Sequence, residues 1–286
     1  MNEGWTDERM DDFRDEVYRR FDPEARAALA RKLDELDAVG IRDLAILFDD
    51  MPGDAPDLAR GQAGIVEWAG GRTGADRILV CPTYYSDDPV LDLVFGTRPA
   101  GYLEELGDRL DPSVAVFWTG EEVCSREIRP GHLAPVAERL RRKPFLWDNY
   151  PVNDGQRMSQ YLHLRAFTGR PASVADHVSG HGINPALQPT LTRIPALTLP
   201  ESYRLGDDYA YGRAFRDAAV EVLGHDVAAL VAQDLLALQD VGLDRLGPKE
   251  TNLRERYGGV DHPAAREILQ WLDGGYRITD EIVRTQ

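Results

Sequence analysis

The run Leu44-Ala45-Ile46-Leu47-Phe48 ends in two adjacent acids, Asp49-Asp50, followed by Met51-Pro52-Gly53. Five consecutive apolar residues predict a strand buried on both faces, the kind found in parallel sheets under helices. Carboxylates where such a strand opens into its loop stand where α/β enzymes keep their chemistry. Side chains alternate along a strand, so neighbouring acids can take separate roles only where the strand opens into a mouth. The same two residues also suit a turn ahead of a helix, because aspartate is a common cap and turn residue.

Working outward, residues 22–39 predict a helix, with Pro23 near its start and Gly40 just past its end. Residues 58–68 predict a second helix, and strands follow at 77–85, 114–120 and 143–150, separated by helices at 102–110 and 133–142. A further strand at 174–184 runs into a loop at Gly180-His181-Gly182-Ile183-Asn184-Pro185. This alternation is a parallel βα array, in which right-handed crossovers bring the strand ends to one face. Asp49, Asp50, Tyr84, Tyr85, Trp118, Trp147, Asp148, Asn149 and Asn184 gather at those ends. One acid pair at a loop is ordinary; five strands ending in Asp, Tyr, Trp and Asn describe a shared pocket. Trp118 and Trp147 also suit core packing, and Asn149 and Asn184 suit loop hydrogen bonds. His181, set between two glycines, reads as a mobile loop residue without a role.

Beyond Pro200 the periodicity is helical throughout, at 209–223, 226–239, 249–257 and 263–272. The chain is expected to divide into an N-terminal helical extension (1–21), an α/β domain (22–200) and an all-helical C-terminal subdomain (201–286). The Glu/Asp/Arg-rich segment 5–20 reads as a solvated helix.

The 286 residues carry a formal charge of −16, which argues against nucleic acid, anionic membranes and polyanionic substrates, and favours a neutral substrate. No apolar run reaches transmembrane length, and the first residues lack the basic and apolar regions of a signal peptide. A cytoplasmic location is therefore expected. Cys81 and Cys124 read as reduced packing residues, and no metal-ligand or phosphate-loop motif points to a cofactor. Aromatic faces such as Trp147 and Tyr85 suit the apolar faces of sugar rings, while Asp and Asn side chains pair with hydroxyls or an acetamido group. Two neighbouring carboxylates fit glycoside hydrolysis, in which one must be protonated while the other stays charged.

Leu47-Phe48-Asp49-Asp50, Cys81-Pro82-Thr83-Tyr84-Tyr85, Trp118-Thr119-Gly120, Trp147-Asp148-Asn149 with Asn153-Asp154, and Asn184-Pro185 occur in that order. Together they resemble the catalytic barrel of glycoside hydrolase family 84, the O-GlcNAcases and bacterial β-N-acetylglucosaminidases, some called hyaluronidases. The resemblance covers roughly residues 22–200. It implies that Asp49 polarises the substrate's 2-acetamido group, whose carbonyl oxygen attacks the anomeric carbon to form an oxazoline. It makes Asp50 the general acid and then the general base. It further implies that Tyr85 contacts the acetamido group or reacting centre, Trp147 walls the acetamido pocket, and Asn149 bonds the acetamido group or the acid pair. Asp154 and Asn184 become contacts to sugar hydroxyls. A substrate that supplies its own nucleophile needs only a charged carboxylate to stabilise the developing oxazolinium, and configuration is retained as in the substrate-assisted exceptions to the usual scheme.

A closed (β/α)8 barrel needs eight strands, and those from Leu44 onward correspond to the family's fourth to eighth. The expected fold is thus an incomplete (β/α)8 TIM-type barrel of about five parallel strands, followed by the helical subdomain. An open sheet exposes an apolar edge, to be covered by the helical tail, the N-terminal helix or a second copy as a homo-oligomer. The expected partner is a glycan or glycoprotein containing N-acetylglucosamine. The missing strands leave open a weak or inactive relative acting as a carbohydrate-binding or scaffolding protein. A Mg²⁺-dependent hydrolase built on Asp49, Asp50 and Asp54 is a third reading.

Overall fold

Asp22 caps the first helix, α1 (Pro23–Ala38), by accepting from the backbone N–H of Glu24 and Ala25 at 3.0 and 2.9 Å. Pro23 at the first helical position costs no hydrogen bond there, and Gly40, at φ 77°, turns the chain into β1 (Asp43–Leu47). The computed structural model describes residues 21–49, 51–53 and 57–279. The expected helix within 5–20 lies outside them, as do Asp50 and Asp54.

The elements continue as α2 (Leu58–Gly70), β2 (Arg77–Cys81), α3 (Pro89–Phe95), α4 (Tyr102–Arg109), β3 (Ala115–Trp118), α5 (Pro130–Leu140), β4 (Phe145–Asp148) and β5 (Gly180–Ile183). Four helices follow: α6 (Arg193–Leu205), α7 (Tyr211–Leu236), α8 (Pro248–Gly258) and α9 (Pro263–Leu272). The five strands are parallel and lie in chain order, β1-β2-β3-β4-β5, as a half-barrel. Asp43 sits opposite Arg77 in the β1–β2 register, and their side chains pair at 2.7 Å.

The expectation that β1 is buried on both faces is corrected. Leu44 and Phe48 are buried, but Ala45 is exposed and Leu47 is 47% exposed. Among the described residues β1 pairs with β2 alone, so it is an edge strand. The central strands behave as continuous apolar runs should: β2 ends in three buried residues and Val116, Phe117 and Trp118 of β3 are all buried. Further differences are local. The segment Ala172–His177 is a 3-10 turn, and the strand is confined to Gly180–Ile183, where a loop was expected. The helix α6 was not foreseen, because Pro195 and Pro200 interrupt its pattern. The two expected helices 209–223 and 226–239 are both present as the two halves of α7, separated at Gly224 by φ 73° and ψ 166°.

The chain divides into two compact units, each with its own core. The first comprises the described residues up to 121, with 131–146 and 177–180. There Leu33, Leu44 and Ala69 form a cluster joined by Ile46 and Trp68. Arg142 joins the end of α4 to the start of β3, donating to the carbonyls of Gly107, Leu110, Asp111 and Val114 at 2.6–3.1 Å. The second unit comprises 122–130, 147–176 and the described residues from 181 onward. Its core packs Leu162 and Leu164 with Ile194, Phe215, Val231, Tyr257, Ile268 and Trp271 from the four helices.

Candidate active site

In the first unit the loop after β1 is held from beneath by buried polar groups. Thr83 Oγ1 donates to the carbonyl of Phe48 at 2.9 Å, and Gln62 Nε2 donates to Thr83 Oγ1 at 2.8 Å. Tyr102 Oη donates in turn to Gln62 Oε1. Thr83 and Gln62 are wholly buried, and buried polar groups of this kind must be paired to be tolerated. This chain fixes the backbone immediately before Asp49, which is half-buried. On the far side of the acid pair, Gly53 N–H donates to Phe95 O at 2.8 Å. A Cβ on Gly53 would lie 2.0 Å from Tyr84 Oη, so the loop is tied down by a contact that only glycine permits. Tyr85 is buried, and its carbonyl accepts from Thr119 N–H at 2.9 Å. Trp118 is fully buried, bonded through Nε1 to His132 Nε2 at 2.9 Å and stacked on that ring. It serves as core packing, the alternative its sequence position left open.

In the second unit Trp147, Asn149 and Asn184 meet directly. Trp147 Nε1 and Asn184 Nδ2 both donate to Asn149 Oδ1, each at 3.0 Å. Two donors on one oxygen settle which end of the Asn149 amide is which. Its Nδ2 donates to Val123 O at 2.8 Å, and a second N–H remains without a partner among the described residues. Asp154 is half-buried in the same unit. A cleft of about 650 Å³ opens beside Asn149, lined also by Tyr150, Arg126, Arg157, Arg165 and Tyr211.

Beneath these residues lies a buried ionic cluster. Asp148 is 1% exposed and accepts from Arg170 through two bonds of 2.7 Å, Nε to Oδ2 and Nη2 to Oδ1. His181 Nε2 reaches the same carboxylate at 3.0 Å, and Tyr203 Oη meets His181 Nδ1 at 2.7 Å. The other Arg170 donors go to the carbonyls of Ser125, Arg126 and Thr168, so every N–H of that guanidinium is used. Burial by itself pushes the Asp148 carboxyl up. The hydrogen bonds from His181 and Arg170 and the charge of Arg170 outweigh it and hold the group below the usual carboxylate range. The reading of His181 as a mobile loop residue is corrected. It sits in β5 with its side chain 6% exposed. Gly180 beside it is glycine because a Cβ there would lie 2.3 Å from the Phe145 ring. Close strand packing, rather than mobility, selects that glycine.

A family profile described as β-N-acetylglucosaminidase matches residues 15–237. The chain belongs to glycoside hydrolase family 84. The match takes in every candidate residue from Asp49 to Asn184. Among curated relatives, the chain is 29% identical over 191 residues to the Protein O-GlcNAcases of Rattus norvegicus and Mus musculus, covering 64% of this chain. It spans only 20% of the length of those relatives. Among solved structures it is similar to a Thermobaculum terrenum O-GlcNAc hydrolase mutant, with a TM-score of 0.69 and 25% identity over 96% of this chain and 71% of the other.

In this family-84 chain the groups that support the motif residues gave little signal in the sequence. Asp148 was visible at a strand end but had no role, and Arg170, Gln62 and Tyr203 carried no local signal. Among the described residues no group of three metal-capable side chains forms, and no helix is long and apolar enough to cross a membrane.

Proposed function

We propose that the chain is a retaining β-N-acetylglucosaminidase of the O-GlcNAcase type, acting on terminal β-linked N-acetylglucosamine of a glycan or glycoprotein by substrate assistance. The observation that carries this reading is the Trp147–Asn149–Asn184 cluster. It is an aromatic ring joined to two oriented amides beside an open cleft, with Trp147 and Asn149 from one motif and Asn184 from another 35 positions beyond Asn149. An oriented Asn149 N–H is suited to donate to an acetamido or hydroxyl oxygen. Asp49, two residues beyond β1, would then polarise the acetamido N–H so that its carbonyl oxygen attacks the anomeric carbon. Asp50 would protonate the leaving oxygen and later deprotonate the water. Tyr85 would contact the reacting centre, and Asp154 with Asn184 would hold the hydroxyls. In this scheme the negative charge of Asp49 stabilises the oxazolinium as it forms.

The test is hydrolysis of aryl β-N-acetylglucosaminides by the wild type, Asp49→Asn and Asp50→Asn. Both variants should lose about 10²–10⁴-fold in kcat/KM. An aryl leaving group of low pKa should restore Asp50→Asn far more than Asp49→Asn, because only Asp50→Asn lacks the proton donor. Equal rates from all three proteins reject the assignment. Binding of an oxazoline mimic with no turnover would favour a carbohydrate-binding protein instead.

A further inference from the structure

We propose that the buried chain Tyr203–His181–Asp148–Arg170 is a positioning device that sets three residues of the proposed sugar subsite, Trp147, Asn149 and Asn184, in place. The inference rests on the glycosidase reading above and deepens it.

Asp148 is flanked in the chain by two of the three subsite residues, Trp147 and Asn149. Its own carbonyl accepts the backbone N–H of the third, Asn184, at 2.9 Å. One residue, Asp148, is therefore joined through its main chain to all three, and its carboxylate anchors that main chain. Arg170 clamps it through a planar two-bond fork, the geometry that best fixes a carboxylate plane. Arg170 is itself held by three backbone carbonyls, so the fork has no freedom to swing.

His181 supplies the third bond to Asp148 and extends the chain to α6. The carboxylate can only accept, so the proton lies on His181 Nε2. In the neutral ring Nδ1 would accept the hydroxyl proton of Tyr203. Tyr203 keeps that proton throughout the working range, since burial and then the Asp148 charge push it up to about 12. With one proton on the ring every donor has an acceptor, and a fully satisfied buried network specifies one geometry. His181 and Tyr203 touch neither Asn149 nor Trp147 through any bond the structure shows. Their effect on a substrate would pass through Asp148.

The experiment uses the full chain with Tyr203→Phe, His181→Gln and His181→Phe. Each is assayed on aryl 2-acetamido and 2-butanamido glucosides and for binding of an N-acetylglucosamine thiazoline. His181→Phe removes both bonds and should lower kcat/KM for the acetamido substrate about 10²-fold, the cost of a small misplacement. Its preference for acetamido over butanamido should collapse with it, because a loosened Trp147–Asn149 wall no longer rejects the longer acyl chain. His181→Gln keeps an N–H for Asp148 and should recover most of that loss. Tyr203→Phe should cost roughly fivefold, the scale of one neutral hydrogen bond. A merely stabilising role would lower the melting temperature and leave the acyl preference unchanged. If Tyr203→Phe and His181→Gln fold and match the wild type within twofold in both rate and acyl preference, the inference is overturned whether or not His181→Phe folds. A wild type that neither hydrolyses the substrate nor binds the thiazoline overturns the glycosidase reading and this inference together. A wild type that turns over beside indifferent variants overturns this inference alone.

Discussion

At the scale of single residues, Asp148 and Arg170 carry the largest electrostatic stake described in the second unit. They are 1% and 5% exposed, so removing one partner strands the other charge out of water. Arg170→Met should therefore destabilise the fold by about 3–5 kcal/mol, read from urea unfolding. The pH dependence follows from the same groups. Asp148 is held below its ordinary range, so between its native and unfolded pKa values the native state binds fewer protons than the unfolded chain. Its contribution is complete above the ordinary aspartate range and is lost as pH falls through the lower native value. Tyr203 works in the opposite sense. Its proton is held up to about 12, so the native state binds more protons than the unfolded chain from the ordinary tyrosine value upward. Stability measured across pH 9–12 should fall more steeply for the wild type than for Tyr203→Phe; parallel curves would contradict the assignment.

At the scale of elements, the strand ends are held in part by side chains of the packed helices. Tyr102 in α4 donates to Gln62 in α2, Gln62 donates to Thr83 just after β2, and Thr83 holds the last carbonyl before Asp49. Thr83→Val keeps the volume but removes the bonds that Thr83 makes to Phe48 O and Gln62 Nε2. It should cost about 1–3 kcal/mol, and kcat/KM should fall further than that loss of stability explains, because the backbone under Asp49 is released. Assays well below the melting temperature separate the two effects. The β1 edge shows the complementary limit. The five apolar residues that announced a buried strand form one with a half-exposed Leu47, because it has a neighbour on one side alone among the described residues.

At the scale of the whole molecule, the charge of −16 is the property that acts everywhere at once. Acids that outnumber bases repel one another across a compact surface, and salt screens that repulsion within about 10 Å at 0.1 M. Raising salt from 10 to 200 mM at neutral pH should therefore raise the melting temperature by a few degrees; a fall would show that surface ion pairs dominate instead. The same scale separates what was legible from what was not. Amino-acid order alone determined the βα alternation, the helix punctuation at Pro23 and Gly40, the helical C-terminal part and the strand-end motifs. Each of these is set by neighbours within a few positions, through periodicity, turn chemistry and the pleat. Only tertiary structure decided that His181 is a buried link in a strand, since its partners Asp148 and Tyr203 stand 33 and 22 positions away. It alone decided that Trp118 is core, that Gly53 and Gly180 mark close contacts, and that Asn149 Oδ1 receives two donors. Those outcomes depend on which distant groups share a desolvated space, where an unpaired charge or amide costs several kcal/mol, and no local pattern encodes that company.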